Sequence, residues 1–192
     1  MTIYPSARHF MQAVVGRYRS LPGYSDTGQV RTRLQTGPYV RSFETKYRSQ
    51  GDFRFVFECP HPYLPLRYKV TRYEVGCTAG VCNFVSTTAN GRRSEDTVVG
   101  IDILIGMATG ISGGSAYTVA GLLYEQVGGC IFSEWRRPRF GAFRMVDGVM
   151  CVCVSGIHPR GGRMAVYVGR EDLLLRRVVD RKAKSEENRY VV

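Results

Sequence analysis

Val40-Arg41-Ser42-Phe43-Glu44-Thr45-Lys46-Tyr47-Arg48 and, after a Gln50-Gly51-Asp52 break, Phe53-Arg54-Phe55-Val56-Phe57-Glu58-Cys59 decide the fold class. In both runs Phe43, Tyr47, Phe53, Phe55 and Phe57 fall on alternate positions, with Glu44, Lys46, Arg54 and Glu58 between them. An extended chain turns alternate side chains to opposite faces, so each run has one apolar face and one wet face. The connection between them is far shorter than a parallel crossover needs, so the two runs form an antiparallel hairpin.

The same period of two extends outward from this hairpin. Upstream, Val30, Thr32 and Leu34 alternate with Arg31, Arg33 and Gln35 until Gly37-Pro38 breaks the run. Downstream, strand-like runs at Tyr68 to Val75 and Val81 to Thr87 are separated by Pro60 to Pro65 and by Gly76 to Gly80. The first half of the chain therefore reads as a meander. Ahead of it, Ala7, Phe10, Met11, Val14, Val15 and Tyr18 recur with helical spacing, with Ser6 placed to cap the start and Leu21-Pro22-Gly23 to stop the helix.

Residues 97 to 123 change character. Val98, Val99, Ile101, Ile103, Leu104, Ile105 and Met107 crowd together ahead of Gly110-Ile111-Ser112-Gly113-Gly114, and Ala116 to Leu123 is apolar again. This spacing predicts two short helices joined by a glycine turn, the second beginning near Ser115. Such a hairpin has too little polar surface to stand in water, so it must cover something. Strands resume around Cys130 to Trp135, Val149 to Ser155, Met164 to Val168 and Leu173 to Val179, with turns at Asp147-Gly148 and at His158 to Gly162. Lys182 to Asn188 is charged and reads as a frayed tail. The expected organisation is one β-rich ligand-binding domain over residues 1–180 and a charged tail over 181–192.

Composition narrows the function classes. In 192 residues, 27 Lys plus Arg against 16 Asp plus Glu give a formal charge of +11, which favours anionic partners. Most of these cations lie between strand-like apolar positions, where a solvated outer face accounts for them. No run of 18 apolar residues is present, so no helical membrane span is expected. Met1 to Ser6 lack the basic and apolar regions of an export signal, so the chain as written reads as cytoplasmic, or as periplasmic if it is a processed form. Of six cysteines, Cys77 and Cys82 flank a turn they could bridge under oxidising conditions, while Cys151 and Cys153 share a strand face. The gaps within these two pairs match no common zinc spacing. No metal and no cofactor is expected.

Several blocks resemble a known family. Tyr18-Arg19-Ser20-Leu21-Pro22-Gly23-Tyr24-Ser25-Asp26-Thr27-Gly28, Phe43 to Arg48, Phe53-Arg54-Phe55, Ala108 to Ala116 and Leu174-Leu175-Arg176-Arg177-Val178 look like bacterial proteins related to the outer-membrane lipoprotein carriers LolA and LolB. The resemblance implies an α+β, mostly β fold: an unclosed, strongly bent antiparallel β-barrel whose concave apolar face is lidded by short helices and accepts acyl chains. Phe43, Tyr47, Phe53, Phe55, Phe57, Val70 and Val85 are then expected on the concave face. The expected function is non-catalytic binding or carriage of a lipid, a lipoprotein acyl chain or another hydrophobic ligand, with anionic lipid or a protein as further partners. Phe10, Val14, Phe43, Phe55, Phe57, Ile103, Met107 and Leu122 are the expected ligand surface, with Gly110, Gly113 and Gly114 as a hinge.

Other motifs point elsewhere. Gly110-Ile111-Ser112-Gly113-Gly114 matches the nucleophile-elbow pattern, and Asp147 and His158 follow in the chain order of an α/β-hydrolase triad. That elbow needs a strand leading into the serine, whereas the residues ahead of Ser112 read as helix. An enzyme using the same cavity, with Ser112 as nucleophile, is the alternative. Phe53-Arg54-Phe55-Val56-Phe57 interleaves aromatic and basic residues as a base-stacking strand does, and Arg136-Arg137-Pro138-Arg139 is a compact cationic cluster. The order of elements is not that of an RNA-recognition fold, so polyanion binding is a further alternative and nucleic acid is not the expected partner. His9, His61 and His158 are far apart and form no metal pattern.

Overall fold

The computed structural model describes residues 4–35, 37–49, 51–60, 70–127, 132, 134–159 and 161–192, with side chains excluded at 60 and 70. In chain order the elements are α1 (Ala7–Arg19), β1 (Gly23–Leu34), β2 (Gly37–Arg48), β3 (Asp52–Pro60), β4 (Val70–Thr78), β5 (Val81–Thr87) and β6 (Arg93–Val98). Then come α2 (Ile101–Ser112), α3 (Ser115–Leu123), β7 (Arg136–Phe140), β8 (Arg144–Val146), β9 (Val149–Ile157), β10 (Arg163–Gly169), β11 (Leu175–Asp180) and β12 (Ser185–Val191). The strands form one sheet in the order β6-β5-β4-β3-β2-β1-β12-β11-β10-β9-β7, with β8 also paired to β9. Every pairing is antiparallel. β6 and β7 end the path without pairing to each other, so the barrel is not closed.

The helices fill the concave side. α1 starts at Ser6, whose side chain accepts a hydrogen bond from the His9 amide at 3.3 Å, and buries Phe10, Met11, Val14, Val15 and Tyr18. It packs on α3 and β7. α2 buries Ile101, Leu104, Ile105 and Ala108 over β3, β4 and β5. Beneath it runs an aromatic row: Phe43 on Phe55 at 5.7 Å between ring centres, Phe55 on Phe57 at 5.5 Å, and Phe57 on Tyr73 at 4.9 Å.

Two meanders meet at the β1–β12 pairing, and a buried ion cluster occupies that seam. Arg189, fully buried on β12, donates from Nη1 to Asp26 Oδ2 of β1 at 2.5 Å, from Nε to Glu187 and from Nη2 to the Ser115 carbonyl of α3 at 2.7 Å. Its guanidinium carbon lies 4.5 Å from the centre of the Phe43 ring. The Tyr24 hydroxyl donates to Asp26 at 2.5 Å, and Thr118 Oγ1 of α3 donates to Glu187 at 2.9 Å. Gly28 makes room for this row. A Cβ there would sit 2.2 Å from the Asn188 carbonyl and 2.3 Å from the Phe43 ring.

The structure corrects several sequence expectations. The charged tail at 181–192 is instead β12, paired with β1 and β11, because Glu187 and Arg189 turn inward to the ion cluster while Glu186 and Asn188 turn outward. β1 begins at Gly23, ahead of the period-two run, since polar Asp26 faces that cluster. Arg93–Val98 forms β6, an edge strand too exposed to show an apolar period. On β5 the inward residues are Cys82 and Phe84 rather than Val85, a face fixed by the Cys77–Cys82 disulfide within the β4–β5 hairpin. A strand is found at Arg136–Phe140, while the one expected at Cys130 to Trp135 lies partly outside the described residues. Cys130, His61, Gln50, Arg160 and the connection from His61 to Tyr68 lie outside the described residues, as does the side chain of Val70. Among the described residues no helix is long and apolar enough to cross a membrane, and no group of three His, Cys, Asp or Glu is placed to hold a metal.

Arg189→Met leaves Asp26 and Glu187 buried without their counter-charge, so urea unfolding should show a loss of about 3–5 kcal/mol. Arg177→Met, which removes a half-exposed outer-face pair with Glu186, should cost about 1 kcal/mol or less. Equal losses would contradict the role given to the seam.

Burial pushes the Tyr18 phenol up to about 12 and holds Tyr24 well above its ordinary value. Below about pH 10 both folded and unfolded phenols are protonated and their contribution is complete. Above it the unfolded chain sheds protons that the fold retains, so stability should fall as pH rises from about 10 towards about 12. Thermal melts followed with tyrosinate absorbance check this. A flat profile across that window would contradict it.

The Cys77–Cys82 bond closes a short loop, five residues apart, so reduction should cost about 2 kcal/mol without unfolding the chain. Chemical denaturation with and without reductant measures it.

Candidate ligand-binding site

The helices do not fill the concave side evenly. Over β2 to β5 the aromatic row meets α2 directly, whereas on the side of β10, β11 and β12 a cavity of about 520 Å³ remains under the helical hairpin. Its roof is Gly106 and Thr109 of α2, Gly113 and Gly114 of the turn, and Tyr117 and Thr118 of α3. Its floor is Val30, Met164, Val178, Asp180, Ser185 and Glu187, and the β9–β10 turn contributes His158, Pro159 and Gly161 at its edge. The volume falls in the range of small-molecule sites, about 300–1,000 Å³.

Sequence and geometry explain why the space stays open. The α2–α3 turn uses left-handed backbone at Gly113 and Gly114, with φ of 71° and 96°. At Gly113 a Cβ would lie 2.7 Å from an Arg41 guanidinium nitrogen, so the hairpin approaches the sheet closely on one side of the turn. At Gly106 and Gly114 a Cβ would meet nothing within 4 Å, which leaves open space where a larger residue would close it.

The cavity is mostly apolar but carries charge at one end. Glu187 is held from one side by Arg189 and from the other by Thr118, so its carboxylate is fixed at the wall. Asp180 Oδ1 accepts from the backbone amides of Lys182 and Ala183 at 2.8 and 3.0 Å. A site with an apolar body and a few fixed polar groups suits an amphiphilic molecule.

The expected ligand residues are distributed differently. Phe10, Val14, Phe43, Phe55, Phe57 and Leu122 are buried among the helices and sheet, so they are packed core. Ile103 and Met107 point away from the sheet and are exposed on α2, with Ile111 one turn further. Gly113 and Gly114 line the cavity, and Gly110 lies within α2. Tyr117, Met164, Val178 and Glu187 were not singled out in the sequence. The alternation across Ser185–Val191 was the signal for Glu187, hidden by its charge.

The alternative catalytic residues are also placed. Ser112 sits in the last turn of α2 and is fully buried; its Oγ donates to the Thr109 carbonyl at 3.3 Å and accepts from the Ala116 amide at 3.2 Å, joining the two helices. A helix, not a strand, leads into it. His158 is at the cavity edge, and Asp147 occupies the β8–β9 turn in left-handed backbone with φ of 47°, outside the cavity lining.

Comparison with known proteins bears on the fold. No protein-family model matches the chain, and no curated protein matches it. Among solved structures, LprF from Mycobacterium bovis superposes with a TM-score of 0.57 at 16% identity, covering 100% of this chain and 94% of LprF. MucB superposes with a TM-score of 0.50 at 12% identity, covering 95% of this chain and 56% of MucB. A LolA superfamily protein from Nitrosomonas europaea gives a TM-score of 0.35 at 5% identity, covering 98% of this chain and 92% of that one. The fold is the one shared with LprF, an unclosed antiparallel barrel lidded by short helices.

Proposed function

We propose that this chain is a carrier-type binding protein that holds the apolar chain of a lipid or lipoprotein between the α2–α3 hairpin and the inner faces of β10, β11 and β12. One observation carries the reading: the 520 Å³ cavity under the hairpin, beside an aromatic row that is buried in the core. Affinity comes from taking acyl surface out of water, about 0.8 kcal/mol per buried methylene. The fixed carboxylates of Glu187 and Asp180 favour a neutral or hydrogen-bond-donating group at the end of that chain. The Cys77–Cys82 disulfide fits an oxidising compartment.

Gly106 supplies the test, because it lines the cavity and a Cβ there would meet nothing within 4 Å. Gly106→Trp should fold with unchanged or slightly higher stability, since glycine inside a helix costs roughly 1 kcal/mol relative to alanine. Its uptake of a fluorescent fatty-acid analogue should fall at least about tenfold, a loss of about 1.4 kcal/mol in binding. Unchanged uptake in the folded variant would contradict the site. Phe55→Asp tests the opposite property. Phe55 is core, so that substitution should unfold the chain rather than empty the cavity.

A further inference from the structure

On the outer face of the sheet, several arginines meet a carboxylate on the same or a neighbouring strand. Arg54 pairs with Glu74, Arg72 with Glu58, Arg93 with Glu95 and Arg177 with Glu186. One region gathers several arginines without such partners. A groove of about 310 Å³ on the outer side of β7, β9 and β10 is lined by Arg137, Arg139, Arg163 and Arg181, and among the described residues no acidic one lines it.

The sheet itself gathers these four side chains from three segments. Arg139 of β7 pairs with Ser155 of β9, and Arg163 of β10 pairs with Ile157 of β9. A register shift between Arg136 and Arg139 places Arg137 in left-handed backbone at the groove wall, with φ of 52°. Arg181 is brought alongside by its amide, which donates to the Arg163 carbonyl at 3.1 Å. Among the described residues, none of the four guanidinium groups has an ion-pair or hydrogen-bond partner. Like charges facing one another across a sheet repel. Their convergence in one groove points to a counter-charge supplied from outside.

We propose that this groove binds a phosphate-bearing anion, with guanidinium forks on its oxygens and the Ser155 hydroxyl as a further donor. Planar guanidinium groups match phosphate oxygens two at a time, which favours phosphate over a single-point anion. The proposal does not depend on the cavity, although Met164 lines both spaces and brings the groove to the same end of the barrel. The shared chemistry has two sources, a soluble phosphate compound or the phosphodiester of a lipid headgroup.

The experiment uses the full oxidised chain at low salt, titrated calorimetrically with pyrophosphate and, in parallel, floated with phosphatidylcholine vesicles with and without phosphatidylglycerol. Arg139→Gln with Arg163→Gln is compared with Arg31→Gln with Arg33→Gln, which removes the same charge from exposed positions on β1. The expected result is binding of at least one probe by the native chain, weakened more than tenfold by the groove pair and less than threefold by the control pair. Pyrophosphate binding assigns a soluble source, and binding of phosphatidylglycerol vesicles alone assigns a headgroup. Equal loss in both variants shows a net-charge effect only, and either that result or no binding of either probe overturns the proposal.

Discussion

A fully buried arginine cannot be left in a protein interior without partners, because stripping water from a charge costs several kcal/mol. Arg189 is satisfied only when β1, β12 and α3 are all in place, since Asp26, Glu187 and the Ser115 carbonyl come from those three elements. The N-terminal meander, the last strand and the helical hairpin are therefore tied at one point. Burying a charge here contributes specificity of arrangement: apolar strands alone pair in several registers, whereas only one register brings Asp26 and Gly28 beside Arg189. Burial makes Tyr18 and Tyr24 weaker acids, while the neighbouring Asp26 and Glu187 keep Arg189 protonated against its own desolvation.

This tie divides the concave side. On the β2 to β5 side, Phe43, Phe55 and Phe57 are buried, with Tyr73 packed against them, and α2 packs over β3, β4 and β5. Beyond the tie, the floor consists of smaller or flexible side chains, Val30, Met164 and Val178, and the roof of Gly106, Gly113 and Gly114, so the two layers stand apart. The cavity is thus a product of side-chain size on each side of one seam. Glu187 belongs to both the seam and the cavity wall, which couples whatever occupies the cavity to the element holding the barrel together.

The period-two runs around Phe43 and Phe55 made the meander legible, and the glycine turn at Gly113-Gly114 made the helical hairpin legible, because local chemistry governs both. The aromatic positions were read correctly as inward-facing and assigned to ligand contact; the structure packs them against α2, a long-range outcome that periodicity does not encode. Ile103 and Met107 fall on the exposed stripe of a helix that is apolar nearly all round, where sequence gives no strong choice of face. The last strand was hidden for a plain reason: Glu187 and Arg189 are types found on surfaces, and only their mutual pairing with Asp26, 163 residues from Arg189, makes them interior. The resemblance to LolA and LolB carried the unclosed barrel, and the superposition on LprF agrees with it as a fold.

The central functional claim is that the space beneath the hairpin is occupied by an apolar chain in the cell. Native mass spectrometry of the protein purified from its own host, without detergent or organic solvent, addresses it most directly. The expected spectrum contains a one-to-one complex whose added mass, released by mild collisional activation, belongs to an acyl-bearing molecule. A spectrum of the bare polypeptide alone, under conditions that preserve a fatty-acid complex added afterwards as a control, would contradict the claim.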